Sequence, residues 1–353
     1  MTDPGRDAGA VIHRRILAVV NPVSGVYPKQ RTIRDLKHQA ERMGLELDVI
    51  ETRKDLNGEQ AVKSRTGDYD CYLAAGGDGT VIEVAQAASE DGVPLAVLPR
   101  GTANALAWHF KLPIDEGQAL KVASRGKPMK VDIATSSEGE FLIMAGLGYD
   151  AHVIRAATRS LKKRLGFLAY LFAAVKPIGR RPYVFRVMVD DEEPVRVKGV
   201  TAIVANTGTL AGNLRFVQKV SPHDGLLDAV VIYPENLGIF FRMAFWALLG
   251  RLNQDPRVKY FRGRKIAIQC RPEAPLEIDG DEVGNRREFT AEVRPGALTL
   301  MVLSEGMSWF PWPEKWLPGH FPWSKWMEDH RSLTGESDPD PDPDPVSGEV
   351  PGS

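Results

Sequence analysis

Cysteine is scarce: Cys71 and Cys270 are the only two in 353 residues. Each stands in a strand-like apolar run with no second cysteine or histidine at ligand spacing. That excludes a disulfide framework and a zinc site, and both thiols are expected as buried packing groups. Long apolar runs are absent as well. The one sizeable helical run, residues 237–249, is too short to cross a bilayer and carries Arg242 inside it. A signal peptide needs a basic stretch followed by an apolar one; residues 1–10 hold acids and glycines instead, so the expected address is the cytoplasm. His13, His109, His152 and His223 fall at no spacing that suggests a metal site or a nucleophile dyad. No zinc-finger, RNP-type or helix-turn-helix pattern occurs, so nucleic acid is not an expected partner.

What the chain does have is ordinary globular composition, 43% hydrophobic and 26% charged, at a length that supports two cores. The formal net charge of -1 hides an uneven distribution. Of the 45 basic and 46 acidic residues, eight acids and one base lie from Glu328 onward, which leaves a body with 44 bases against 38 acids. The repeated Asp-Pro pairs of residues 332–353 bury too little surface to offset ordering, and that tail is expected to be disordered. Upstream, short β-branched runs alternate with helix-like stretches, at residues 16–20, 29–43, 45–50, 71–75, 81–89 and 95–98. This rhythm predicts an open α/β sheet with crossover helices and a ligand-binding edge. Beyond about residue 131, strand-like runs dominate, at residues 141–144, 183–189, 200–205, 227–233, 265–268 and 299–303. They predict a mostly antiparallel β-sandwich. The expected chain is thus of the α/β class with two domains, residues 14–134 and 135–304. A Trp/Pro-rich segment at 305–331 and the acidic tail follow.

Three polar, glycine-bearing loops leave the ends of first-domain strands. Residues 71–75 run into Gly76-Gly77-Asp78-Gly79-Thr80, Asn21-Pro22-Val23-Ser24-Gly25 follows the first strand, and Pro99-Arg100-Gly101-Thr102-Ala103-Asn104 follows another. Glycines let a backbone approach a bound group closely, and unpaired N–H groups at a helix start attract phosphate. Ligands of open α/β sheets bind at that edge. The Walker loop is excluded, because no lysine follows the glycines in Gly-Lys-Ser/Thr order. Alone, such a loop is equally a tight strand-to-helix turn with an aspartate cap, and Asp224-Gly225 or Asp279-Gly280 is equally an ordinary hairpin turn. Gly146-x-Gly148-x-x-Ala151 is not a dinucleotide fingerprint, since the region about 20 residues on is basic and apolar, with no acid for a ribose.

In their order, the Asn-Pro-x-Ser-Gly, Gly-Gly-Asp-Gly-Thr and Pro-x-Gly-Thr-x-Asn loops resemble those of the diacylglycerol kinase catalytic domain family, which includes sphingosine and ceramide kinases and bacterial lipid kinases. The resemblance resumes at Gly146-Leu147-Gly148-Tyr149-Asp150-Ala151, at Ser221-Pro222-His223-Asp224-Gly225-Leu226-Leu227-Asp228 and at Ile278-Asp279-Gly280-Asp281, and spans about residues 14–304. It implies an ATP site between two domains, lined by Asn21, Ser24, Gly25, Gly76, Gly77, Asp78, Gly79, Thr80, Gly101, Thr102 and Asn104. It implies further that Asp224, Asp228 and Asp281 organise Mg2+ through water, and that Asp279 or Asp78 takes the proton of a lipid hydroxyl. Many family members have glutamate at position 281; the shorter aspartate is compatible with magnesium if a water fills the gap. The implied activity is transfer of the γ-phosphoryl group to a lipid, with diacylglycerol as the favoured acceptor and phosphatidic acid as the product. Phosphoryl transfer needs backbone donors for phosphates, charge neutralisation and a carboxylate near the hydroxyl, and these residue types supply each. NAD kinases share the Gly-Gly-Asp-Gly-Thr loop, but their later Asn-Glu pair is missing. A catalytically silent lipid-binding protein on this fold would usually have lost the glycines or carboxylates retained here.

Between Asp150 and Asp190 no acid occurs, whereas Arg155, Arg159, Lys162, Lys163, Arg164, Lys176, Arg180, Arg181 and Arg186 do, interleaved with Leu165, Phe167, Leu168, Tyr170, Leu171, Phe172 and Val175. That combination suits peripheral attachment to an anionic membrane, and equally a helix packed on the β domain with solvated basic ends. The Trp309, Trp312, Trp316, Trp323 and Trp326 series, broken by prolines, suits a strap across the surface or a headgroup-level contact. An exposed sheet edge in the β domain would also permit a homodimer.

Overall fold

In a computed structural model of the chain, the described residues are 14–24, 29–101, 104–149, 181–211, 214–215, 220–248 and 251–304. The basic run up to Arg180, the tryptophan series and the acidic tail lie outside them. The first half alternates β1 (Arg15–Val20), α1 (Lys29–Met43), β2 (Glu46–Glu51), α2 (Gly58–Lys63), β3 (Cys71–Gly76), α3 (Asp78–Asp91), β4 (Leu95–Pro99), α4 (Ala105–His109) and α5 (Glu116–Arg125). Strands β2, β1, β3 and β4 lie side by side and parallel. Every residue of β3 is buried, as expected of a central strand covered by helices on both faces. Local chemistry fixes the helix ends. Asn57 and Gln60 form a reciprocal capping box on α2, Asp115 accepts from the Gln118 N–H at 3.0 Å to start α5, and left-handed Gly92 ends α3.

The second half is built from β5 (Lys127–Ser136), β6 (Gly139–Phe141), β7 (Met144–Gly148), β8 (Tyr183–Val189), β9 (Val195–Gly199), β10 (Thr201–Ala205), β11 (Thr209–Ala211), β12 (Leu214–Arg215) and β13 (Leu227–Ile232). Then come α6 (Leu237–Leu248), a 3-10 turn at Leu252–Gln254, β14 (Val258–Gly263), β15 (Lys265–Ile278) and β16 (Asp281–Val302). The ladders β14–β13–β10–β7–β15 and β15–β8–β9 are all antiparallel. Cys71 and Cys270 are buried and unpaired, as expected.

Two strands differ from their sequence-based expectation. The apolar run at 141–144 is broken between β6 and β7, because the N–H groups of Leu142, Ile143 and Met144 turn to the Asp279 carboxylate. The run at 299–303 is only the end of β16, a 22-residue strand whose start pairs with β15 and whose end lies against β5 and β4. Its register shifts between Arg294 and Leu298, around Gly296 at φ 60°. Phe289, Ala291 and Val293 therefore fill the core of the antiparallel part, while Leu298, Leu300 and Val302 fill the core beneath β1, β3 and β4. One strand thus ties the two halves together.

Candidate active site

The three glycine-bearing loops meet at the carboxyl ends of β1, β3 and β4. The Asn21 side chain donates to the Thr80 hydroxyl at 2.9 Å and accepts from the Val23 N–H at 3.1 Å, which ties the first loop to the start of α3. Gly77 and Gly101 touch backbone to backbone: a Cβ on Gly101 would lie 2.6 Å from the Gly77 Cα. Asn104 is buried in the left-handed region and clamps its own loop, accepting from Gly101 N–H at 2.8 Å and donating to Gly101 C=O at 2.7 Å. The Asp78 carboxylate accepts from Ala105 N–H at 2.7 Å, joining the starts of α3 and α4. α3 begins at Asp78, with Gly77 as its cap residue, rather than near residue 81. The first-turn N–H groups of α3 are therefore carried within the glycine loop, where an anion is favoured. Gly79 is exposed and a Cβ there would meet nothing within 4 Å, so its face opens away from the protein. Ser24 stands beside Gly77, its hydroxyl 4.0 Å from where a Cβ would lie. Gly25 and Thr102 lie outside the described residues.

Asp279 comes from the other half. It forms with Gly280 the two-residue turn of the β15–β16 hairpin, both at positive φ (49° and 96°), the backbone of a type I′ turn. The hairpin reading of Asp279-Gly280 holds here. Its Oδ2 accepts from Leu142 N–H at 2.9 Å and its Oδ1 from Ile143 and Met144 N–H, each at 2.9 Å. Those peptides are themselves held. The Asn206 amide donates to the Leu142 carbonyl at 3.0 Å, on the peptide whose N–H is that of Ile143. The Ile143 carbonyl, on the peptide of Met144 N–H, accepts from Asn206 and Thr207 N–H at 2.9 and 3.1 Å. Each bond polarises the next donor towards Asp279.

Burial pushes the Asp279 carboxyl up to about 7 against these donors, and the charge of Asp78 adds to the rise. Burial likewise pushes Asp78 up to about 6, opposed by the N–H groups at the start of α4. Two carboxylates from opposite halves of the chain thus feel one another, each titrating well above an ordinary aspartate.

The expected magnesium residues stand differently. Asp224 is ion-paired with Arg262, and Asp228, buried at 1% exposure, accepts from the Tyr260 hydroxyl and lies 3.6 Å from the same guanidinium. Asp281 is exposed at the start of β16, opposite Ile278. The structure does not bring the three together, and among the described residues no group of three His, Cys, Asp or Glu side chains is placed to hold a metal. Oδ2 of Asp228 is buried without a hydrogen-bond partner among the described residues, the one feature a cation would favour. Arg262 already supplies the positive charge there, so the set does not fit direct magnesium ligation.

Two site-building residues carry no motif. Asp132 is buried and receives Gly225 N–H at 2.7 Å and Gly296 N–H at 2.8 Å, so it docks the Asp224 loop onto the bend of β16. Asn206 donates at once to Asp132 C=O at 2.9 Å and to Leu142 C=O. The available signal was a polar side chain within or directly after an apolar strand run, in Val131-Asp132-Ile133 and Val204-Ala205-Asn206.

These features define a class: an α/β sheet with glycine-bearing, non-Walker loops at its strand ends, joined to an antiparallel β part that carries a buried carboxylate on a hairpin turn. Comparison with known proteins narrows it. Residues 15–136 match the diacylglycerol kinase catalytic domain, and residues 144–302 match the YegS C-terminal NAD kinase beta sandwich-like domain. The chain belongs to the diacylglycerol kinase catalytic domain family, a family of lipid kinases. An uncharacterized protein of Synechocystis sp. is 29% identical over 285 residues, covering 75% of this chain and 65% of that one, just under two thirds of its length. A diacylglycerol kinase of Staphylococcus saprophyticus is 26% identical over 277 residues, covering 77% of this chain and 90% of that one. A crystal structure of a diacylglycerol kinase from Bacillus anthracis superposes with a TM-score of 0.64 at 20% identity, over 82% of this chain and 97% of that one, and so shares its fold. Among the described residues, no helix is long and apolar enough to cross a membrane.

Proposed function

We propose that the chain transfers the γ-phosphoryl group of magnesium-bound ATP to the free hydroxyl of diacylglycerol, giving phosphatidic acid and ADP. The observation that carries this reading is the Asp279 cradle, which holds a carboxylate of raised pKa on the antiparallel half where it feels the charge of Asp78 in the glycine loop of the α/β half. The first-turn N–H groups of α3 and the open face at Gly79 receive the phosphates. Magnesium enters with the nucleotide, as part of the substrate. The acceptor oxygen forms the new P–O bond while the bond from Pγ to the bridging oxygen breaks, and the hydroxyl proton passes to Asp279 and then to solvent. A base titrating at about 7 suits that step near neutral pH. Asp78 acts as the positioning carboxylate, because its oxygen holds the start of α4 against α3. The acceptor assignment draws on the similarity to the diacylglycerol kinase of Staphylococcus saprophyticus.

Labelled ATP with magnesium and a panel of diacylglycerol, monoacylglycerol, sphingoid base, ceramide and polyprenol, with NAD as the control acceptor, tests this. Label is expected in phosphatidic acid. Label in NADP, or in none of the lipids, would overturn it.

A further inference from the structure

The outer face of α6 is unlike the rest of the described surface. Leu237, Phe241 and Phe245 are 51%, 57% and 57% exposed, and at spacings of four they form one stripe along the helix. The inner face is conventional: Phe240 and Met243 are buried, and Met243 packs with Val230, Leu252 and Val258. An apolar stripe of this kind on a folded helix marks a contact surface.

The charge around it selects the occupant. From Glu235 to Arg262 the sequence holds two acids, Glu235 and Asp255, against Arg242, Arg251, Arg257, Lys259 and Arg262; Glu235 is ion-paired with Arg257, and Arg262 with Asp224. Asp255 is buried and taken by Arg242, at 2.7 and 2.9 Å, so it offers no negative charge to the surface. Arg251 follows the helix and is exposed, as is Lys259 on the edge strand β14. A large apolar stripe accompanied by the exposed cations Arg251 and Lys259 matches the headgroup region of an anionic bilayer better than it matches the same patch on a second copy of this chain.

We infer that α6 is a membrane-contact helix, which inserts Leu237, Phe241 and Phe245 into an anionic lipid surface while Arg251 and Lys259 meet its phosphates. This deepens the lipid-kinase reading by naming the surface at which the acceptor is met, and it rests on that reading only for the acceptor's identity.

The test is cosedimentation of the full chain with phosphatidylglycerol–phosphatidylcholine vesicles and with phosphatidylcholine alone, without nucleotide. The variants are Phe241→Ser, Phe241→Ser/Phe245→Ser, Leu237→Gln and Arg251→Glu/Lys259→Glu. Each lost phenylalanine should weaken binding to the anionic vesicles by roughly tenfold or more. The charge variant should bind both vesicle types alike. Thermal midpoints, and turnover of a water-dispersed short-chain diacylglycerol, should stay at wild-type values. Unchanged vesicle binding in the double phenylalanine variant would overturn the inference. So would a shift from dimer to monomer, which would assign the stripe to a second copy, or a lowered thermal midpoint with vesicle binding intact, which would assign it to the chain's own packing. Failure of wild type to phosphorylate the dispersed substrate, with α6-dependent binding retained, would instead overturn the proposed function alone.

Discussion

Asp279 is held by three backbone donors and yet titrates near neutrality, because burial outweighs them and Asp78 adds a like charge. Its folded-state pKa is raised, so the base form grows with pH, and kcat should climb through about pH 7 and then level off. A pH profile of kcat with saturating substrates checks this; a profile flat from pH 5 to 9 would remove Asp279 as the base. The bonds from Asn206 favour the charged form of Asp279 through the polarised peptides. Asn206→Leu should therefore raise the pKa further, moving the limb to higher pH, and should cost about 1–3 kcal/mol of stability for each carbonyl left unbonded. Gly79 is the opposite kind of residue. Its absent Cβ faces open space, so Gly79→Val should leave the thermal midpoint nearly unchanged and raise the KM for ATP at least roughly tenfold. An unaltered KM would mean that no phosphate approaches there. The glycine loops and Asp279 were legible in the sequence because close backbone approach and turn geometry restrict residue choice. Asp132 and Asn206 were not, since a buried polar side chain has a role only through partners distant in the chain, here 93, 164 and 64 residues away.

Among the elements, the β15–β16 hairpin matters most, because its tip carries Asp279 and its long second strand ends beside β4. The alternation of strand and helix in the first half was readable from periodicity. The reach of β16 was not: Arg294-Pro295-Gly296 reads as a strand end, and only the ladder to β5 carries the strand past it. The break between β6 and β7 was equally hidden, since the apolar run at 141–144 is continuous and its N–H groups leave the ladder for a carboxylate more than 130 residues on. β14 supplies Arg262, which serves both Asp224 and Asp228. Arg262→Met should lower stability by about 1–3 kcal/mol, a figure discounted because the guanidinium is partly exposed. Magnesium should not restore the loss. Thermal unfolding with and without the ion checks this, and recovery of the wild-type midpoint would reassign the two aspartates as metal ligands.

At the scale of the molecule, the α/β half brings the glycine-bearing loops, the antiparallel half brings Asp279, and β16 joins their cores. Neither half contains both the glycine-bearing loops and Asp279, so the proposed reaction depends on holding them in register around one γ-phosphate. That division makes binding and chemistry separable. The most direct test is Asp279→Asn, with nucleotide Kd measured by titration and kcat measured on diacylglycerol. The substitution keeps the side chain's size and removes its charge and basicity. The result expected is a Kd close to wild type with kcat lowered by roughly 10²–10⁴, as for loss of a general base. Wild-type kcat in Asp279→Asn would contradict the account.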